Sequence, residues 1–354
     1  MKISSHSKEY FLEITGAAFI GQILQQPYKL AVIDKKVFDL YKDSVLKDVD
    51  MKRVYLLKAL EKNKNINSAL QICSTMAEMS FRRSDILISV GGGIVQDVTG
   101  FAANIYNRGV KWTFIPTTLL AQSDSCIGSK TSLNFLKFKN ILGTFYPPDN
   151  IFICLDFVKT LTKDDYLSGL GEVAKFNIMS AKDGLELLEK NMEKLLNRDV
   201  ETLRFFVERS LEFKKSFIED DEYDFGARNL LNFAHTFGHA FETVSNYAIP
   251  HGQAVTLGLI VANNVSFKRN ILEKKLKERI EKICFNLISI KLDKTLFDSN
   301  NVIEAMKKDK KRRTEKLAAV LLATDLSLKV VQDIECAEIE ESLLNIFKTM
   351  QRKK

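Results

Sequence analysis

Three of the four histidines in this 354-residue chain lie within seventeen positions. His235 and His239 occur in the segment NFAHTFGHAFE, and a helix would place them on one face, with Asn232 and Glu242 on or near it. His251 opens HGQAV after a proline-containing turn that could return it to the same place. This arrangement is typical of a divalent metal site such as zinc. A pair of hydrogen-bonded, half-buried histidines is the alternative that this stretch leaves open.

A glycine-rich turn, Gly91–Gly93, follows the apolar run DILISV and precedes a helix-like stretch. Glycines let the backbone approach a ligand, and the helix N-terminus presents unpaired N–H groups to a pyrophosphate. Asp34 ends an earlier apolar run, and Thr117 and Thr118 follow another. The three turns predict a dinucleotide site at the carboxyl edge of a parallel sheet. The spacing is not G-x-G-x-x-G, so spacing alone leaves a simple strand-to-helix turn open.

The distribution of apolar runs, glycine and proline predicts the elements that carry these residues. Short apolar runs at 28–34, 85–93, 110–118 and 150–156 are separated by helix-like stretches such as 66–79, a pattern typical of a mainly parallel sheet covered on both faces. No glycine follows Gly258. We therefore predict an α/β, Rossmann-like domain over residues 1–160, which carries the dinucleotide site, and an all-helical domain over 161–354, which carries the metal and substrate site.

Composition excludes several classes of function. The net charge of +7 suits an enzyme that attracts an anionic metabolite. The basic run KKDKKRR at 307–313 has no interleaved aromatics and no accompanying nucleic-acid motif, so we predict no nucleic-acid partner. Five cysteines without C-x-x-C spacing indicate a reducing compartment, and no apolar run approaches the ~18 residues of a membrane span. We expect a cytoplasmic protein without a membrane partner.

Eight motifs follow one another within residues 30–320: GGGIVQDVTGFAA, NRGV, PTTLLAQSDSCIGSKTSLN, KNILGTFYPP, GLGEVAKF, DDEYDFGARNLLNFAHTFGHAFE, HGQAV and DKK. Through them the chain resembles the 3-dehydroquinate synthases, within the wider group of sugar phosphate cyclases. The resemblance implies a lyase of the shikimate pathway, which makes aromatic amino acids. It would convert the phosphorylated sugar acid 3-deoxy-arabino-heptulosonate 7-phosphate to 3-dehydroquinate with release of phosphate, using NAD+ and Zn²⁺ or Co²⁺.

The resemblance also implies roles for particular residues. The implied metal ligands are Glu172, His235 and His251, whereas His239 becomes a substrate-binding and proton-handling residue. The implied phosphate contacts are Lys130, Asn140, Asn232 and His239, with Arg108 reaching in from the other subunit of a homodimer. Lys214 and Arg228 match the carboxylate binders, Asp124 and Lys175 lie near the reacting hydroxyls, and Lys310 or its neighbour Lys311 makes another anion contact. The implied NAD+ contacts are Asp34, Glu61, Lys64, Gly92, Gly93, Asp97, Thr117, Thr118 and Lys139.

This chain departs from the family pattern at several positions. Gln96 and Ser129 stand where the family usually has glycine, Asp224 stands where glutamate is usual, and NFLKFKN at 134–140 replaces NHPLGKN. Two alternatives therefore stay open: a cyclase for another sugar phosphate, resembling 2-deoxy-scyllo-inosose synthase, and a metal-dependent polyol dehydrogenase such as glycerol-1-phosphate dehydrogenase. Retention of Lys214, Arg228, Asn232 and His239 favours a substrate that carries a carboxylate.

Overall fold

The computed structural model describes residues 1–136, 138–180, 182–290, 294–307 and 317–351. The chain divides into two compact units. The first consists of Met1–Leu161 with Lys214–Tyr223, and the second of Thr162–Phe213 with Asp224–Lys354. None of the helices in the described ranges is long and apolar enough to cross a membrane.

A seven-stranded sheet is the centre of the first unit. The strands of this unit are β1 (Lys2–Ser4), β2 (Glu9–Thr15), β3 (Leu30–Asp34), β4 (Val54–Leu57), β5 (Ile86–Gly91), β6 (Lys111–Pro116), β7 (Lys130–Phe135), β8 (Phe138–Phe145) and β9 (Asn150–Cys154). The order in the large sheet is β1-β2-β9-β6-β5-β3-β4, with β1 antiparallel to β2 and the other pairs parallel. The predicted parallel sheet is confirmed, and so are the four strands expected from apolar runs.

Four helices accompany this sheet: α1 (Ala17–Gln25), α2 (Lys35–Tyr41), α3 (Ile66–Glu78) and α4 (Gly93–Ile105). Residues of α1 and α2 pack against β3 and β5 in a buried apolar cluster that includes Ile20, Val37, Ile33 and Val90. Because β6, β5 and β3 are parallel neighbours, their carboxyl ends lie at one edge of the sheet. The expected convergence of the three turns after these strands is therefore confirmed.

β7 and β8 form a separate antiparallel hairpin that the apolar runs did not predict. In β7 the buried residues Thr131 and Leu133 alternate with more exposed ones, whereas no residue of β8 is fully buried, so the hairpin is covered mainly through β7. Lys130 opens the hairpin opposite Phe145, and Asn140 lies in β8 with a left-handed backbone, φ +51°.

The second unit is mainly helical. Its helices are α5 (Lys163–Ser180), α6 (Lys182–Leu196), α7 (Val200–Asp220), α8 (His235–Val244), α9 (His251–Lys268), α10 (Lys274–Asn286), α11 (Ser299–Lys307) and α12 (Cys336–Gln351). The end of α7, from Lys214, belongs to the first unit. α9 is buried along nearly its whole length, because α5, α8, α10 and α12 all pack against it.

One part of the helical prediction is wrong, because two strands, β10 (Leu317–Leu322) and β11 (Leu328–Ile334), form an antiparallel hairpin. The connecting turn contains no glycine. Leu326 takes the left-handed conformation that glycine usually supplies, φ +64°, and the Asp325 carboxylate accepts hydrogen bonds from the backbone N–H and the hydroxyl of Ser327. The missing glycine therefore did not indicate a missing turn.

Candidate active site

The second unit brings together a carboxylate and two imidazoles from three helices. Glu172 lies on α5, and His235 and His251 are the first residues of α8 and α9. α5 and α9 approach closely at Gly171 and Gly252: a Cβ added to Gly171 would lie 2.3 Å from the Gly252 carbonyl oxygen. The residues next to these glycines, Glu172 and His251, are therefore brought into contact by the backbone itself.

The three donor atoms have the separation that a metal ion requires. Glu172 Oε1 lies 3.5 Å from His235 Nε2 and 3.4 Å from His251 Nε2, and all three ligand atoms lie within 4.8 Å of one another. Donors about 2.1 Å from a tetrahedral zinc ion are spaced at about 3.4 Å. Both Glu172 oxygens are buried without a hydrogen bond of regular geometry. The donor set therefore fits a divalent ion.

The other ring nitrogen of each histidine is already engaged. His235 Nδ1 lies 3.1 Å from the Phe233 carbonyl oxygen, and His251 Nδ1 lies 3.3 Å from Glu242 Oε2. Since both partners accept hydrogen bonds, they favour a proton on Nδ1, so that Nε2 is the nitrogen available to a metal ion. Such partners orient imidazoles in metal sites.

Lys175 supplies positive charge on the opposite side of Glu172. Its Nζ lies 2.7 Å from Glu172 Oε2 and donates to the Leu231 carbonyl oxygen at 3.1 Å, with the side chain only 2% exposed. Burial opposes ionisation of Glu172, but Lys175 and His251 together lower the pKa of its carboxyl. Burial also opposes charge on His251, and the Glu172 and Glu242 carboxylates raise the pKa of its imidazole.

His239 lies one turn after His235 on α8, as its spacing predicted. The two ring centroids are 5.5 Å apart, and the centroid of His251 is 6.0 Å from that of His239. Two sets of three side chains have ligand atoms close enough together to hold one metal ion. One set is Glu172, His235 and His251, and the other is His239, Glu242 and His251. The structure therefore places His239 beside the three converging donors.

Asn232 does not lie on α8, although the sequence suggested a position on or near it. It ends a 3-10 segment, Ala227–Asn232, that also carries the buried Arg228. Ala234, in the left-handed region with φ +69°, separates this segment from α8. The chain therefore turns sharply between Asn232 and His235.

In the first unit, the expected dinucleotide residues follow β3, β5 and β6. Gly92 immediately precedes α4, and no side chain in the described part of the chain caps that helix. Asp34 accepts a hydrogen bond from the Lys36 backbone N–H at 3.0 Å, and burial raises the pKa of its carboxyl. The hydroxyl of Thr117 is buried without a partner among the described residues, whereas Thr118 accepts a hydrogen bond from the Ala121 N–H. The N-terminus of α4 is therefore suited to bind an anion.

Lys64, Asp97 and Asn140 form one polar network, although the sequence places them far apart. Lys64 Nζ lies 2.6 Å from Asp97 Oδ2 and donates to Asn140 Oδ1 at 2.7 Å. Ser132, which the sequence analysis missed, donates to Asp97 through its N–H and hydroxyl and to Asn140 through the hydroxyl. Burial raises the pKa of Asp97, and Lys64 and Ser132 oppose that effect. Only the β7–β8 pairing brings Ser132 and Asn140 together.

The altered segment 134–140 is joined to Glu61. Asn134 donates to Glu61 Oε1 at 2.8 Å and accepts from the Asn140 N–H at 3.0 Å, while Lys139 Nζ lies 3.3 Å from Glu61 Oε1. Glu61, Lys64, Lys139 and Asn140, predicted to contact cofactor or substrate, are thus neighbours.

Asp124 and Lys214 form a second pair in this unit. Lys214, 7% exposed, donates to the backbone oxygen and to Oδ1 of Asp124, each at 2.6 Å. Asp124 lies in a π-helical turn, Ala121–Ser125, and such turns occur frequently at functional sites. Gln96, a departure from the family pattern, holds the same turn: its amide donates to the Ser125 carbonyl oxygen and accepts from the Ser125 hydroxyl.

Arg108 is exposed at the tip of a constrained turn. Asn107, Arg108 and Gly109 have successive positive φ values of 49°, 59° and 111°. A Cβ on Gly109 would lie 2.9 Å from the hydroxyl of Tyr146, which donates to the Val110 carbonyl oxygen. The turn therefore holds the backbone of Arg108 in one conformation. Lys310 and Lys311 lie outside the described residues.

Two family models match consecutive parts of the chain. The model described as 3-dehydroquinate synthase N-terminal matches residues 54–168, and the one described as 3-dehydroquinate synthase C-terminal matches 169–312. A 3-dehydroquinate synthase of Pelagibacter ubique is 38% identical over 327 residues, covering 90% of this chain and 87% of the relative. One of Clostridium tetani is 36% identical over 318 residues, covering 88% and 85%.

A solved structure has the same fold. The 2-epi-5-epi-valiolone synthase of Streptomyces hygroscopicus subsp. jinggangensis 5008, with NAD+ and Zn²⁺ bound, superimposes with a TM-score of 0.85. It is 23% identical in sequence, and the match covers 99% of this chain and 100% of that one. The likeness shows that the chain has the fold of a sugar phosphate cyclase.

Proposed function

The chain belongs to the 3-dehydroquinate synthase family, and from this premise we propose that it converts 3-deoxy-arabino-heptulosonate 7-phosphate to 3-dehydroquinate and phosphate. The observation that carries the proposal is the donor set of Glu172, His235 and His251, with both Nε2 atoms 3.4 to 3.5 Å from one carboxylate oxygen. NAD+ and a divalent ion, Zn²⁺ or Co²⁺, are the proposed cofactors.

Each unit contributes a cofactor site in this proposal. Glu172, His235 and His251 would hold the metal, while the turns that carry Asp34, Gly92–Gly93 and Thr117–Thr118 would hold NAD+. When bound, NAD+ supplies a reversible hydride acceptor and the metal ion polarises hydroxyl and carbonyl oxygens of the substrate. The start of α4, which no side chain of the described residues caps, suits the pyrophosphate, and the buried Thr117 hydroxyl, which has no partner among those residues, suits a polar group of the cofactor.

The chain's charged side chains would bind and orient the substrate. We assign the substrate phosphate to Lys130, Asn140, Asn232 and His239, and the carboxylate to Lys214 and Arg228. Lys214 uses two hydrogen bonds on Asp124, and an ammonium group has three donors, so a third remains for the carboxylate. Buried Lys175, next to Glu172, is suited to stabilise an oxyanion on the substrate, and His239 to accept or return a proton.

Product formation from a set of substrates tests this proposal. The protein, with NAD+ and Zn²⁺ or Co²⁺, should form 3-dehydroquinate and phosphate from 3-deoxy-arabino-heptulosonate 7-phosphate, and should release little phosphate from glucose 6-phosphate or a seven-carbon sugar phosphate without a carboxylate. Phosphate release from one of the latter alone would contradict the proposed substrate and indicate a different cyclase. The altered segment 134–140 would then be the first region to examine.

We also propose that the working unit is a homodimer in which Arg108 contacts the substrate phosphate of the partner. The exposure of Arg108 and the positive φ values of residues 107–109 support this role, because they hold the backbone of an exposed arginine in one conformation. Mixing Arg108→Ala chains with Lys175→Ala chains, each nearly inactive alone, should restore part of the activity through hybrid sites. A fully active monomer, or no recovery in confirmed mixed dimers, would contradict the proposal.

A further inference from the structure

Ser129, immediately before Lys130, has a backbone conformation that favours glycine. Its φ is +64°, and its side chain is buried. A non-glycine residue in the left-handed region costs about 1 kcal/mol or more, so its side chain must make a compensating contact. The Ser129 hydroxyl donates a short hydrogen bond to Oε1 of Glu222.

Glu222 connects Ser129 to the N-terminal segment. It is 2% exposed and accepts hydrogen bonds at Oε1 from the Ser5 hydroxyl, at 2.6 Å, and at Oε2 from His6 N and Nδ1, at 2.6 and 2.9 Å. Burial opposes its charge, but the hydrogen bonds from Ser129, Ser5 and His6 lower the pKa of its carboxyl. An ionised, buried carboxylate with these donors is a rigid anchor.

Several contacts near Ser129 hold the end of the β7–β8 hairpin. The Ser129 carbonyl oxygen accepts from the Tyr146 N–H at 2.7 Å, and the Tyr10 hydroxyl accepts from the Gly128 N–H at 3.1 Å. The ring of Tyr223, the residue after Glu222, packs against the ring of Phe145, with 4.9 Å between the two ring centroids. Phe145 is the residue that pairs with Lys130. The segment after α7 therefore contacts the residue before β7 and the last residue of β8, at the end of the hairpin where Lys130 lies.

We propose that Ser129 and Glu222 are positioning residues that hold the backbone of Lys130 in the conformation needed to bind the substrate phosphate. Glycine at position 129 would leave this backbone more freedom, whereas the serine hydroxyl ties it to a buried charge. The inference rests on the proposed function, which assigns the phosphate to Lys130. Neither Ser129 nor Glu222 needs to touch the substrate.

Two matched serine variants test the inference. Ser129→Ala and Ser5→Ala each remove one hydroxyl from the same carboxylate oxygen of Glu222, but only Ser129 adjoins Lys130. With NAD+ and Zn²⁺ bound, Ser129→Ala should raise KM for the sugar acid phosphate and Kd for inorganic phosphate by about fivefold to tenfold, with kcat within about twofold of the parent. Ser5→Ala should leave both constants near the parent values. Equal changes in the two variants would overturn the inference.

Ser129→Gly separates the hydroxyl from backbone strain, because glycine accepts the left-handed conformation without cost. It should raise KM and the Kd for phosphate as Ser129→Ala does. Parent-like constants in Ser129→Gly would show that the hydroxyl positions nothing and would overturn the proposal. If the parent protein itself forms no 3-dehydroquinate, the proposed function fails, whereas an active parent with unaffected Ser129 variants refutes only the positioning role.

Discussion

The two units hold their polar clusters in opposite ways. In the first unit, Lys64, Asp97, Ser132 and Asn140 satisfy one another, since every hydrogen bond described for the Lys64 ammonium and Asp97 carboxylate stays within the network. In the second unit, the Phe233 carbonyl oxygen and the Glu242 carboxylate contact Nδ1 of His235 and of His251, respectively. The Nε2 atoms of both histidines face the Glu172 carboxylate. Lys175 pairs with Oε2 of Glu172, whereas Oε1 and the two Nε2 atoms converge on one point, as the ligands of a metal ion do.

This difference predicts different dependences on ligand. A network whose charges are already paired should stabilise the first unit whether or not cofactor is present. A cluster of converging donors gains its main favourable contact only when a cation binds, so its residues should affect metal content more than the stability of the metal-free protein. The following substitutions test that contrast, beginning with the largest effect.

Replacing a metal ligand should have the largest effect. His251→Ala removes one of three donors, so we expect almost complete loss of tightly bound zinc and a fall in kcat of about 100-fold or more. His239→Ala, on the same cluster but outside the proposed donor set, should keep its zinc while losing activity. Metal content by atomic emission and steady-state kinetics measure both effects. Equal loss of zinc in the two variants would show that His235 and His239 bind the metal jointly.

Breaking the ion pair between Lys64 and Asp97 in the first unit should lower the stability of the protein. Lys64→Met leaves the Asp97 carboxylate buried without its cation and should reduce the free energy of unfolding by about 2 kcal/mol, with or without metal. Lys62→Met, at an exposed position on the adjacent turn, should change it by less than about 0.5 kcal/mol. Adding Asp97→Asn to Lys64→Met should recover part of the loss. Urea unfolding measures these values, and strictly additive losses would show that the two residues do not interact.

A smaller effect on zinc affinity is expected from replacing Glu242, whose carboxylate contacts Nδ1 of His251. Glu242→Gln keeps the size of the side chain but removes its charge, so it should weaken zinc affinity by about 10-fold without abolishing binding. Competition with a zinc chelator measures this affinity directly. Glu278→Gln, an exposed glutamate of α10, serves as the control and should leave it unchanged. A zinc affinity equal to that of the parent would indicate that Glu242 does not orient His251.

The sequence predicted elements whose signal is local. The i and i+4 spacing of His235 and His239 predicted one helical face, and α8 begins at His235. The apolar runs predicted β3, β5, β6 and β9 because fully buried parallel strands are continuously apolar. The turn before β11 was missed, because a leucine occupies the position where glycine would have indicated it.

Contacts between distant segments were not accessible from spacing. Glu172 lies 63 positions before His235, and only its family motif indicated a ligand. Ser132 gave no signal at all, since its role depends on the register that pairs β7 with β8. Ser129 was visible as a departure from glycine, but its partner Glu222 was not. Side-chain networks of this kind depend on tertiary packing, which periodicity does not encode.

The ratio of NADH to phosphate formed over many turnovers tests the central claim most directly. With NAD+ no more abundant than the enzyme, Zn²⁺ present and 3-deoxy-arabino-heptulosonate 7-phosphate in large excess, a cyclase returns the hydride in each cycle. We therefore predict that phosphate and 3-dehydroquinate accumulate far beyond the amount of enzyme while NADH shows no net increase. Stoichiometric NADH without phosphate release would contradict the account and identify the chain as a polyol dehydrogenase.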